Sequence, residues 1–216
     1  MNRCSACHRP SVICVCDRVT PLPTHTRVLL LQHPQEPDVA LGTAPLVLGS
    51  LPGAQLRVGL SWGSFEDALG EAADPRRWAI LYPASLPRPL TDAEARMPSL
   101  FLDPKGAPLQ PLAGGHTVDG IVLLDGTWSQ AKALWWRNPW MLKLNRLLLF
   151  PSEAPLYGKL RREPRKGAVS TLEATGHALV ANGEAVEVKQ QLFRVMRTLC
   201  QRARDNLDAI QWTVGR

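Results

Sequence analysis

The sequence predicts an α/β fold, a mostly parallel sheet flanked by helices, behind a small cysteine-rich head. Three observations predict it. Five short apolar runs, at residues 28–31, 56–60, 79–81, 121–124 and 147–150, are nearly continuous rather than alternating, which is the pattern of strands buried on both faces. Helix-like segments separate several of these runs, and strands that alternate with helices build parallel sheets. Four of the five cysteines fall within the first 16 residues.

The elements follow in order. Residues 1–20 form the head, with Cys4, Cys7, Cys14 and Cys16. Four thiolates this close together suit tetrahedral zinc: the Cys-x-x-Cys turn brings two sulfurs to one ion, and the second pair closes the shell. So short a segment has little core of its own, and metal binding supplies the missing folding energy. Redox disulfides are the competing reading, and two close pairs favour zinc over it. Thr20-Pro21-Leu22-Pro23 reads as a linker, so residues 21–216 form the main domain. Residues 83–117 are rich in proline and glycine and weakly periodic, and read as loop with a short helix near 92–96.

Two helix starts are well marked. Thr127-Trp128-Ser129-Gln130 and Ser170-Thr171-Leu172-Glu173 both fit a capping box. Asn138-Pro139 ends the first helix and Asn182-Gly183 the second. A longer helix over 184–208 has Val188, Leu192, Val195, Met196 and Leu199 at helical spacing. Cys200 lies on its apolar side and reads as core. Trp135, Trp136 and Trp140 crowd one short helix and its exit, which reads as helix packing.

Composition excludes several classes. A chain of 216 residues suits one medium domain with a small appendage. Apolar content of 45% rules out wholesale disorder. No apolar run approaches the roughly 20 residues of a membrane-spanning helix. The N-terminal segment lacks an apolar signal core, so the expected compartment is cytoplasmic. The net charge of +6 is unevenly spread: residues 1–129 carry 10 Lys and Arg against 12 Asp and Glu, and residues 130–216 carry 15 against 7. A basic half this distinct suits either a polyanion partner or a plain solvated surface.

Two clusters can carry chemistry in the main domain. The strand at 121–124 runs into Asp125-Gly126-Thr127-Trp128, and ligands of parallel sheets bind beyond the carboxyl ends of the strands. Asp125 there is a candidate base or cation holder, against the alternative of a turn aspartate. The strand ends at Gln32-His33-Pro34-Gln35-Glu36 and Tyr82-Pro83 are also unusual, although a lone His33 is as readily structural. The second cluster places Lys159, Arg161, Arg162, Arg165 and Lys166 within eight residues, next to Tyr157. That is a candidate phosphate grip with a ring for stacking.

Together these segments resemble the DTW-domain family of tRNA-uridine aminocarboxypropyltransferases. The resemblance rests on Asp125-Gly126-Thr127-Trp128 continuing as Ser129-Gln130-Ala131-Lys132, the cysteine head and Gln32-His33-Pro34-Gln35-Glu36. It extends to Leu81-Tyr82-Pro83, Arg161-Arg162-Glu163-Pro164 and Ser170-Thr171-Leu172-Glu173-Ala174. One departure is Asp38-Val39-Ala40-Leu41-Gly42-Thr43-Ala44, where the family usually has a more polar turn. The resemblance implies a SPOUT-like fold with a deep trefoil knot. It implies transfer of the 3-amino-3-carboxypropyl group of S-adenosylmethionine to N3 of a tRNA uridine, with release of methylthioadenosine.

Under this resemblance Asp125, Thr127 and Trp128 are catalytic. His33, Glu36, Tyr82, Pro83, Asp125, Gly126, Ser170, Thr171 and Glu173 line the S-adenosylmethionine site; Thr127, Ser170 and Thr171 offer hydroxyls and helix-start amides to its carboxylate, and Glu36 and Glu173 are alternative bases or partners for its amino group. Tyr157, Lys159, Arg161, Arg162, Arg165 and Lys166 hold tRNA, and the four head cysteines hold zinc. Three other readings stay open: a SPOUT-like RNA methyltransferase, a non-catalytic zinc-ribbon RNA-binding protein and a thiol redox protein.

Overall fold

The computed structural model describes residues 2–37, 39–81, 88–112, 114–161 and 169–207. Six strands form one sheet: β1 (Arg27–Gln32), β2 (Ala54–Val58), β3 (Trp78–Leu81), β4 (Ser99–Leu102), β5 (Gly120–Asp125) and β6 (Asn145–Leu149). Their spatial order is β2-β1-β5-β3-β6-β4. Every neighbouring pair is parallel except β4 with β6. The five helices among the described residues are α1 (Ala44–Ser50), α2 (Phe65–Leu69), α3 (Trp128–Arg137), α4 (Thr171–Ala181) and α5 (Val186–Asp205).

The continuous apolar runs serve both faces of this sheet, because successive side chains point to opposite sides. Val28, Leu30, Ile121 and Leu123 join α1, α4 and α5 in the larger apolar cluster. Leu29, Leu31, Ile80 and Val122 pack with Phe65 and Leu69 of α2 and with Trp140 and Met141 on the opposite face. At the start of β5, Gly120 pairs in register with Trp78. A Cβ at Gly120 would stand 2.5 Å from the Trp78 ring, so only glycine admits that indole.

Both capping boxes form. Thr127 and Gln130 cap α3, and Ser170 and Glu173 cap α4. At the far end of α4, Asn182 is fully buried. Its side chain accepts from the amides of Thr117 and Val118 and donates to Thr26 Oγ1 and the Val118 carbonyl, each at 2.9 Å.

Three elements depart from the sequence reading. β4 lies within the 83–117 stretch read as loop, which otherwise holds a 3-10 turn at Glu94–Arg96. It is an antiparallel edge strand of four residues between proline-rich flanks, too short for a periodic signal. α1 has seven residues, with a proline in its first turn and Gly49 inside, and is equally weak in pattern. β2 is also displaced by two residues, to Ala54–Val58.

The head packs onto the main domain through its apolar residues. Ile13 and Val15 are both 0% exposed and belong to the larger apolar cluster. Full burial of two such side chains contributes about 1.5–3 kcal/mol each. Arg202 of α5 forks onto Asp17 with two contacts of 2.8 Å and donates to the Cys14 carbonyl. Among the described residues no helix is long and apolar enough to cross a membrane.

Candidate active site and metal centre

The carboxyl ends of β1 and β5 lie side by side, with Gln32 in register with Asp125. Asp125 is buried. Gln32 Nε2 donates to its Oδ2 at 2.7 Å, and Thr171 Oγ1 donates to its Oδ1. The carboxylate is therefore held from β1 on one side and from the first turn of α4 on the other. Each oxygen keeps a lone-pair direction for a further partner. The Asp125 carbonyl accepts from the His33 amide at 2.9 Å, and Gln130 Nε2 donates to Gln35 Oε1 at 3.2 Å. These bonds tie the two loops that leave β1 and β5. Gly126 passes between them, and a Cβ there would stand 3.0 Å from Gln130 and 3.4 Å from His33.

Glu36 closes the turn after β1 and is 4% exposed. Burial pushes its carboxyl above the usual range, against the pull of Arg161, and the neighbouring Asp125 charge pushes the same way. Arg161 Nη2 stands 3.5 Å from Glu36 Oε1, with its guanidinium carbon 6.0 Å from the centre of the Tyr157 ring.

These positions revise several expectations. Tyr157 is not a surface ring for stacking on RNA: it is 6% exposed, and its hydroxyl donates to the Leu41 carbonyl. Burial pushes that hydroxyl up to about 12. The apolar ring fills the core while its polar tip finds a backbone partner. Arg161 is half-buried against Glu36 rather than free on the surface, whereas Lys159 is exposed. Glu173 is committed to the α4 cap: its oxygens accept from the Ser170 amide and hydroxyl and from the Leu156 amide, at 2.7–3.0 Å. The hydroxyls of Thr127, Ser170 and Thr171 likewise have protein partners. Tyr82, Pro83, Arg162, Arg165 and Lys166 lie outside the described residues. Of the crowded tryptophans, Trp140 is buried but Trp136 is 72% exposed, so packing does not account for it.

Sequence reading missed two buried polar side chains, one at the site and one in the head. Gln32 was legible only as an odd polar strand end, and its role follows from the β1–β5 register. Arg9 gave no signal among the cysteines, yet it is 3% exposed and donates through Nε to the Ala40 carbonyl at 3.1 Å and through Nη2 to the Gly42 carbonyl.

The four head cysteines converge. Their Sγ atoms all lie within 4.8 Å of one another, with Cys4–Cys16 at 3.9 Å and Cys7–Cys14 at 3.8 Å. Four sulfurs at zinc-thiolate distance around one tetrahedral ion stand about 3.8 Å apart, so the cluster fits zinc. The amides of Cys7 and Ala6 hold the Cys4 thiol down to about 6, whereas burial raises Cys14 and Cys16. A cation among them is what lets all four act as thiolates. His8 sits outside the set, in a left-handed turn at φ 57°.

An α/β sheet with a buried carboxylate at a strand end, two capped helix starts beside it and a four-cysteine head defines an enzyme-like ligand site with a metal-binding appendage. The chain belongs to the DTW-domain family, whose domain matches residues 1–204. It is 30% identical over 211 residues to tRNA-uridine aminocarboxypropyltransferase 2 of Drosophila melanogaster, covering 95% of this chain and 76% of that protein. The protein of the same name from Macaca fascicularis is 29% identical, covering 91% of this chain and 62% of that protein. The tRNA-uridine aminocarboxypropyltransferase A of Arabidopsis thaliana is 28% identical, covering 91% and 78%. No solved structure matches the chain.

Proposed function

We propose that this protein transfers the 3-amino-3-carboxypropyl group of S-adenosylmethionine to N3 of a uridine in tRNA. The observation that carries the reading is the buried Asp125 carboxylate, oriented by Gln32 and Thr171 at the signature shared with the family. The names of the relatives support the substrate and the transferred group.

The sulfonium of S-adenosylmethionine supplies an activated carbon, so the protein's main task is positioning. Uracil N3–H is a weak acid and a poor nucleophile until its proton is taken. Asp125 accepts that proton as the N3–carbon bond forms and the carbon–sulfur bond breaks, and the sulfur keeps the electron pair as methylthioadenosine leaves. The proton then passes from Asp125 to solvent. Lys159, exposed next to Arg161, faces the polynucleotide. N3 lies on the pairing edge of the base, so the target uridine is unpaired or extruded when it reacts. The four head cysteines hold a zinc ion with a structural role, because all four positions of a tetrahedral shell are filled by protein. The work is done in the cytoplasm.

Identification of the thioether product tests the reading. Methylthioadenosine is the expected product after incubation with tRNA. S-adenosylhomocysteine would instead mark a methyltransferase, and no turnover would leave an RNA-binding module.

A further inference from the structure

We infer that the cleft between the cysteine head and the end of β1 is a zwitterion-binding subsite, in which Arg9 takes the α-carboxylate and Glu36 the α-ammonium of the donor's amino-acid chain. This rests on the reading of the site as an aminocarboxypropyl-donor site. The cleft is narrow and partly open to solvent, and its lining includes Arg9, Gln32, Glu36 and Gly42.

Arg9 is the unusual group. Two of its nitrogens are spent on the Ala40 and Gly42 carbonyls, which fix the side chain against the loop after Glu36. The third, Nη1, is buried and has no hydrogen-bond partner among the described residues. A buried cationic donor without an acceptor is costly. A carboxylate is the ligand group that best matches a guanidinium edge. The opposite charge is in the same cleft: Glu36 is buried, with Arg161 at 3.5 Å and the Thr127 backbone amide beside it. A buried cation and a buried anion lining one cleft match the two ends of an α-amino acid.

The cleft also adjoins the reacting centre. Gln32 lines it and at the same time donates to Asp125 Oδ2 at 2.7 Å. A chain anchored by its zwitterionic end is thereby held one side chain away from the proposed base. The hydroxyls that the sequence offered for the carboxylate are already committed within the protein, whereas Arg9 Nη1 is not. Arg9 lies between Cys7 and Cys14 in the chain, so the metal head contributes a specificity-determining residue rather than only stability.

Calorimetry on the full-length, zinc-loaded protein tests this with two probes, S-adenosylmethionine and its decarboxylated analogue. The wild type is expected to bind S-adenosylmethionine about 10- to 100-fold more tightly, the range of a lost charged hydrogen bond. Arg9→Gln is expected to lower S-adenosylmethionine affinity to that of the analogue while leaving the analogue's affinity unchanged. Equal affinity of the wild type for both probes overturns the inference without needing any variant. Equal weakening of both probes by Arg9→Gln also overturns it, because Arg9 is then only a brace for the Ala40 and Gly42 carbonyls. Failure of the wild type to bind either probe overturns the donor-site reading itself.

Discussion

Gln32 and Asp125 end neighbouring parallel strands in register, and the Gln32 amide donates to the Asp125 carboxylate at 2.7 Å. The sheet itself therefore aims the carboxylate, with Thr171 fixing the other oxygen from the start of α4. Backbone register is a rigid way to orient a side chain, and it depends on residues nearly a hundred positions apart.

Replacing either partner separates orientation from chemistry. Gln32→Leu leaves Asp125 in place but held from one side, and a small loss of aim is costly in rate. It is expected to lower kcat about 10- to 100-fold with little change in KM for tRNA. Asp125→Asn keeps the shape and a carbonyl acceptor for Thr171, but removes the proposed base. It is expected to abolish turnover by about 10²- to 10⁴-fold at an unchanged melting temperature. Steady-state kinetics and thermal melts on both variants check this, and an active Asn variant rules out the base role.

Glu36 couples the site to pH. Burial raises its folded carboxyl above the unfolded value of 4.5. The stability this lends is fully present below that unfolded value and is lost as pH rises through the folded value. Glu36→Gln is therefore expected to melt higher than wild type at pH 8, with the gap closing as pH falls toward about 4.5, and to bind S-adenosylmethionine more weakly. Melting curves across this range, paired with calorimetry, show whether one residue trades stability for binding.

The head is expected to hold one zinc ion per chain, measured by atomic emission. Chelation should lower the melting temperature, because Ile13 and Val15 are anchored in the main core beside the cysteines. In the loaded protein the four head thiols resist alkylation, and they become reactive on chelation. Cys200, 1% exposed inside α5 packing, stays protected until the protein unfolds.

Asn182 satisfies four backbone and side-chain groups from a fully buried position. Asn182→Ala strands the Thr117 and Val118 amides, and buried unpaired groups cost about 1–3 kcal/mol each. The expected loss is about 2–4 kcal/mol in chemical denaturation, with donor affinity retained because the site lies at the other end of α4.

Much of this was legible in the sequence because local rules were decisive there. Continuous apolar runs marked five of the six strands, and two capping boxes marked the starts of α3 and α4. Cysteine spacing marked the four-thiol cluster, and the carboxyl end of the 121–124 run marked Asp125. What stayed hidden is non-local. The β1–β5 register makes Gln32 a partner of Asp125, and the fold of the head brings Arg9 to the loop of Ala40 and Gly42, more than 30 positions away. Tyr157 reads as a surface aromatic beside a basic run, and only tertiary packing buries it. β4 pairs at an edge and is too short to carry a period.

The central claim is tested most directly by mass spectrometry of nucleosides from bulk tRNA incubated with the zinc-loaded protein and S-adenosylmethionine. The account predicts 3-(3-amino-3-carboxypropyl)uridine in wild-type reactions and its absence with Asp125→Asn. A methylated nucleoside, or unmodified uridine from a protein that binds both substrates, would contradict it.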